Sequence, residues 1–170
     1  MRTGGTGGAN TNRTGLIFEN CLRRHEKGET YIINDITFLY LEKGGLAREL
    51  PNHEYKRNLQ PDAAYKNEET KTIFIFEYKN QTVPGSTDEK IQTGPFKLKK
   101  YEKRYPGYTF YFAYILSESW YNVPRYKDDI EILEESGIKI FWGKKIGRME
   151  YETDFHLIDS WMTRQVLQSS

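Results

Sequence analysis

The 170-residue chain has one cysteine, Cys21. No intramolecular disulfide can form, and its place on a helical apolar stripe makes it core packing, not a nucleophile. Histidine is scarce too: His25, His53 and His156 stand singly among polar and aromatic residues, without the spacing of a zinc or histidine-metal site. No apolar run is long enough to cross a bilayer, and no charged-then-apolar segment opens the chain, so the expectation is a cytoplasmic protein with no membrane partner. An excess of charge is also missing, since 25 Lys and Arg face 24 Asp and Glu. The chain as a whole is therefore no basic polyanion binder, and any such surface must come from local segregation of charge. The glycine-rich start, Gly4-Gly5-Thr6-Gly7-Gly8, lacks both the Gly-Lys-Ser/Thr ending and the preceding strand of a phosphate loop. A nucleotide cofactor is not expected, and residues 1–13 read as a flexible arm. Residues 14–170 read as one domain, with no internal repeat and no room for a separate recognition domain.

Aromatic residues are abundant, with 13 Tyr, 9 Phe and 3 Trp. They alternate within strand-like segments such as Tyr105 to Tyr114, for which core packing is the default use and base stacking the alternative. Thr14 is a plausible N-cap, and Ile17, Phe18, Cys21 and Leu22 form an apolar stripe, so a first helix is expected over residues 14–27. Residues 30–34 and 36–41 are β-branched and aromatic, separated by a turn at Asn34-Asp35. A strand entered at Pro61-Asp62 and another over residues 73–79 follow, joined by a polar turn at 66–69. Ser86-Thr87-Asp88-Glu89 is a capping-box pattern opening a helix. Gly94-Pro95 interrupts that helix, which must kink there or restart with Pro95 in its first turn. Beyond it lie a strand over 108–116, a helix over 128–136 stopped by Gly137, a strand over 138–142 and an amphipathic helix over 155–167.

The run Ile73 to Phe76 is apolar on both alternating faces, as in a central strand covered on both sides, yet it ends in Glu77-Tyr78-Lys79. Period-two alternation puts Glu77, Lys79 and Gln81 on the face of Ile73 and Ile75. Charges at the end of a buried strand need partners, because desolvating either alone costs several kcal/mol, on the order of a folded domain's margin. Asp62, on the adjoining strand, can supply a second carboxylate. The residues alone leave two readings, a divalent-metal site or a structural ion pair. Other acid-x-Lys triplets, Glu54-Tyr55-Lys56, Glu69-Thr70-Lys71 and Asp88-Glu89-Lys90, close no buried strand and read as solvated surface.

Pro61-Asp62 followed by Glu77-Tyr78-Lys79 resembles the signature of the PD-(D/E)XK nuclease superfamily. The segment Gly7 to Glu19 is similar to the glycine-rich start of a group of type II restriction endonucleases. Asn80 to Thr93, with Gln81 and Gly85-Ser86-Thr87-Asp88-Glu89-Lys90, resembles the same group's glutamine and Gly-Ser-x-Asp-Glu-Lys run. This resemblance spans most of residues 7–105. It implies an α/β fold with an αβββαβ core, a central mixed sheet flanked by helices, and the element order read above agrees.

The resemblance further implies hydrolysis of double-stranded DNA with Mg²⁺ as cofactor, leaving a 5′-phosphate and a 3′-hydroxyl. Asp62, Glu77 and the Tyr78 carbonyl are then the metal ligands, and Lys79 holds the attacking water and the scissile phosphate. Glu19 is a further candidate to orient a water, with an ion pair to Arg23 as the alternative. Gln81 is a candidate for the scissile phosphate or a base edge. Candidate DNA contacts are Asn80, Gln81, Ser86, Thr87, Lys90, Lys97, Lys100, Lys144, Lys145 and Arg148; the basic run around Lys97 reads equally as a solvated face. Two-fold cleavage of a palindrome favours a homodimer, and a restriction enzyme implies a companion DNA methyltransferase. A structure-selective nuclease of the superfamily, such as a junction resolvase, and a non-catalytic DNA-binding protein on this scaffold are the other readings.

Overall fold

The computed structural model describes residues 7–26, 28–52, 54–55, 59–84 and 87–169; of residues 7–12, 87 and 88 only the backbone is described. Ser86 and His53 fall outside these residues. The sheet is organised around β4 (Thr72–Lys79), whose first six residues are all buried. It pairs antiparallel with β3 (Ala63–Asn67) on one side and parallel with β5 (Thr109–Ser117) on the other. Beyond β3 lie β2 (Ile36–Glu42) and β1 (Thr30–Ile33), both antiparallel; beyond β5 lies β6 (Ile138–Lys145), parallel, with the short β7 (Tyr151–Glu152) against its end. Among the described residues the strand order is β1 through β7 in sequence. Asn34 and Asp35 take φ of 48° and 64°, the left-handed pair a two-residue hairpin turn between β1 and β2 demands.

Both sheet faces are covered, which is why β4 is apolar on both. Ile73 and Ile75 pack with Leu98 and Tyr101 of α4 (Gly94–Arg104) and with Leu133 of α6 (Lys127–Glu135). Phe74 and Phe76 pack with Phe18 and Leu22 of α1 (Gly7–Leu22) and with Ile158, Met162 and Val166 of α7 (Phe155–Ser169). Tyr105, Phe110, Phe112 and Tyr114 are buried, so this aromatic segment serves the core and not base stacking. The order α1, hairpin, β3, β4, α4, β5 is the αβββαβ arrangement expected, in a mixed sheet flanked by helices. No helix among the described residues is long and apolar enough to cross a membrane.

Several boundaries differ from expectation. The first helix starts at Gly7, within the segment read as a flexible arm, and stops at Leu22 instead of residue 27; Cys21, expected in the core, is exposed on this helix, its Sγ donating to the Met149 carbonyl at 3.4 Å. Once Phe18 and Leu22 are packed, adding a turn costs no new nucleus, so tertiary docking carries the helix back through weak helix formers. The polar turn falls at residues 68–71, so that Lys66 and Asn67 stay in β3. The helix after β4 does break: α3 (Thr87–Ile91) ends, and α4 restarts with Pro95 in its first turn. The small elements α2 (Gly45–Glu49), α5 (Glu118–Tyr121) and β7, and the run of β6 on to Lys145, carry too short a pattern to read from the sequence.

The docking of α1 depends on Gly143 of β6, where an added Cβ would stand 2.4 Å from Phe18 Cζ. Gly143→Ala should therefore destabilise the fold by about 1–3 kcal/mol through overpacking. Gly107→Ala, where a Cβ meets nothing within 4 Å, should stay within about 0.5 kcal/mol of wild type. Urea denaturation of both variants checks the contrast.

Candidate active site

The β3–β4 register pairs Ala63 with Phe76, which sets Asp62, one residue ahead of β3, across from Glu77. Asp62 Oδ2 accepts the Tyr78 backbone N–H at 2.9 Å, so the carboxylate caps the ladder where the strand pairing ends. Lys79 Nζ lies 2.9 Å from Glu77 Oε2 and 3.7 Å from Asp62 Oδ2. The two carboxylates thus share one ammonium at the end of a buried strand. Glu77 is almost fully buried, with a side chain 7% exposed.

A second cation is present. Lys97 of α4 donates to Glu77 Oε2 at 2.7 Å. In the register of the parallel pair β4–β5, Glu77 stands beside Tyr114. A Cβ on Gly94 would lie 2.9 Å from Tyr114 Cε2, so the start of α4 sits directly on Tyr114 and its first turn carries Lys97 over Glu77. Lys97, expected either to contact phosphate or to stand on a solvated helix face, reaches the buried carboxylate. No local pattern singles Lys97 out from Lys99, Lys100 and Lys103, because the contact of Gly94 with Tyr114 that orients the helix is tertiary.

Burial pushes the Glu77 carboxyl up, but the ammonium of Lys79, and after it that of Lys97, outweighs burial and holds the group below its ordinary value. Lys79 is shifted the other way. Burial lowers it, while Glu77 and then Asp62 hold its ammonium above the ordinary lysine value. The Tyr114 phenol is raised, first by burial and then by the Glu77 charge.

Glu19 pairs with Arg23 Nη2 at 3.3 Å, the structural alternative for this residue. Its carboxyl is nevertheless raised, by burial first and then by the charge of Asp62, so α1 brings it within the field of the site from the opposite sheet face. Gln81 is buried just beyond β4. Its N–H donates to Ser117 Oγ at 3.3 Å and its Nε2 to the Val83 carbonyl at 2.7 Å, while its Oε1 is buried without a partner among the described residues. Asn80 is buried too, and its amide donates to the Thr14 carbonyl at 3.2 Å and to the Tyr151 hydroxyl at 3.4 Å, tying α1 and β7 to the end of β4.

Lys90 on α3 and Lys100 on α4 are exposed, the latter with its ammonium 5.1 Å from the Phe96 ring centroid. Lys144 and Lys145 end β6, and Arg148 lies in the turn after it, all exposed. Because β4, β5 and β6 are parallel, with Lys79 beside Leu116 and Leu116 beside Trp142, the ends of these strands share one sheet edge with Lys79.

The side-chain donors that could hold a hard divalent cation are two carboxylates. Asp62 Oδ1 and Glu77 Oε1 accept no protein hydrogen bond among the described residues, and the two carboxylates face each other across the start of β3 and the end of β4. No group of three or more His, Cys, Asp and Glu side chains among those residues could hold a metal. A cation here would complete its shell from the main chain, water or a bound phosphate, as Mg²⁺ commonly does.

No family model matches the chain, and no curated protein matches it. Among solved structures it is similar to MunI restriction endonuclease in complex with cognate DNA, at 14% identity and a TM-score of 0.44, over 74% of this chain and 79% of that one. The fold described above rests on its own element order and register.

Because Glu77 is held below its ordinary value of 4.5, its contribution to stability is complete above that pH and is lost as pH falls through its folded-state value. In EDTA, the stability of the wild-type protein should therefore fall below about pH 4.5 more steeply than that of Glu77→Gln, which has no proton to take up at this site. Urea titrations at a series of acidic pH values measure it; parallel profiles would remove Glu77 from the account.

Proposed function

We propose that the protein is a Mg²⁺-dependent, sequence-specific endonuclease of the type II restriction kind, cutting double-stranded DNA. The observation that carries this reading is the placement of Asp62 across from Glu77 at the end of a central strand, with Lys79 within 3.7 Å of both. A purely structural ion pair is a poor explanation, because a buried salt bridge seldom stabilises more than apolar side chains in its place. In this reading Asp62, Glu77 and the Tyr78 carbonyl hold the cation. When bound, Mg²⁺ would act as a Lewis acid on the phosphate and promote ionisation of the attacking water.

The residues of the chain do the rest. Lys79, tethered to both carboxylates, directs its remaining hydrogens at the attacking water and at a non-bridging phosphate oxygen, where negative charge develops. Water attacks phosphorus in line, the bond to the 3′ oxygen breaks, and the products are a 5′-phosphate and a 3′-hydroxyl. Gln81, whose Oε1 is a buried acceptor unmatched among the described residues, and Glu19, within the field of Asp62, support the site from either side. DNA lies along the edge where β4, β5 and β6 end, over Lys90, Lys100, Lys144, Lys145 and Arg148, with Thr87 at the start of α3. Two copies related by a two-fold axis address the two strands of a palindrome, and a DNA methyltransferase protects the host's own sites.

Incubation of the purified protein with long unmethylated duplex DNA should give discrete fragments sharing one end sequence in Mg²⁺ and none in EDTA. Asp62→Asn and Lys79→Ala should each reduce cleavage by at least about 10²-fold, the scale on which acid–base and charge-stabilising groups act, with the fold retained. Smeared or branched-substrate products would instead favour a structure-selective nuclease. Unchanged cleavage by either variant would sink the assignment of the site.

A further inference from the structure

Glu77 carries two ammonium groups on one oxygen, and the two are held differently. Lys79 leaves the same strand two residues on, and its side chain is 19% exposed; Lys97 arrives from α4, is 32% exposed, and has Glu77 as its sole ion-pair partner among the described residues. Asp62, Glu77, Lys79 and Lys97 together carry no net charge. A divalent cation entering this neutral cluster competes with Lys97 for Glu77, whereas a DNA phosphate arriving beside it lacks a counter-charge. A flexible lysine, with three hydrogens to donate and four methylenes of reach, can serve either anion.

We propose that Lys97 is a positioning residue that exchanges partners: it neutralises Glu77 in the free protein and moves to a DNA phosphate in the complex, so that cation binding at Asp62–Glu77 is coupled to DNA binding. The DNA half of this exchange rests on the nuclease reading. The metal half concerns the free protein alone. Coupling is reciprocal, so DNA that draws Lys97 away tightens the cation, and the cation tightens DNA by the same factor. The arrangement restrains metal loading until a substrate is present.

The test is calorimetric titration of Ca²⁺, a hard oxygen-seeking cation, into metal-free wild type, Lys97→Gln and Lys97→Arg, with and without a long unmethylated duplex. Without DNA, Lys97→Gln should bind Ca²⁺ more tightly than wild type by at least about fivefold, the lower end of ordinary coupling between sites. DNA should tighten Ca²⁺ on wild type and on Lys97→Arg but little on Lys97→Gln. Lys97→Gln should also lower the slope of log affinity against log salt for DNA by about 0.9, one phosphate contact. Ca²⁺ binding to Lys97→Gln that is unchanged or weaker, in a protein that still cuts DNA, overturns the exchange and leaves the nuclease reading standing. A wild-type protein that binds no DNA overturns both. Lys97→Arg keeps the charge, so its wild-type coupling is the expected result even if the neutral variant proves unstable, and loss of coupling in it overturns the exchange.

Discussion

The site depends on one electrostatic constraint: Glu77 is ionised at the buried end of a central strand. A lone carboxylate there would cost several kcal/mol, roughly half the stability of an ordinary domain. The surroundings answer that cost in layers. Lys79 follows two residues later on the same face, Asp62 is set opposite by the antiparallel register, and α4 starts against Tyr114 so that Lys97 reaches the same oxygen.

The sheet explains why this cluster lies at an edge and not in the interior. Three neighbouring parallel strands end together, and the β3–β4 pairing stops where Asp62 accepts the Tyr78 N–H. The carboxylates therefore sit at the boundary between a dry core and an open rim that carries Lys144, Lys145 and Arg148. Charges placed there are strong enough to shift one another yet accessible to a ligand, a combination typical of sites that do chemistry.

Much of this was legible in the sequence because it follows from period-two patterning. The two apolar faces of β4, the side to which Glu77 and Lys79 point, the β1–β2 turn and the helix break at Gly94-Pro95 each follow from local rules. Other features depend on tertiary contacts that no local pattern encodes. The helical start at Gly7 is carried by packing of Phe18 and Leu22, and the burial of Asn80 follows from its ties to Thr14 and Tyr151. Lys97 is the most instructive case. Its neighbours Lys99, Lys100 and Lys103 are exposed, and composition cannot tell which lysine of a basic helix turns inward. Glu19 shows the converse, for its local partner Arg23 was readable from i, i+4 spacing while its proximity to Asp62 was not.

The central claim is that Asp62 and Glu77 form one cation site. Its most direct test is anomalous diffraction from crystals soaked in Mn²⁺, an oxygen-seeking stand-in for Mg²⁺, with a duplex bound. The account predicts a single strong peak bridged by the two carboxylates and the Tyr78 carbonyl, with Lys97 displaced from Glu77. A saturating soak with no peak there, and Lys97 still on Glu77, would contradict it and leave the cluster a structural salt bridge.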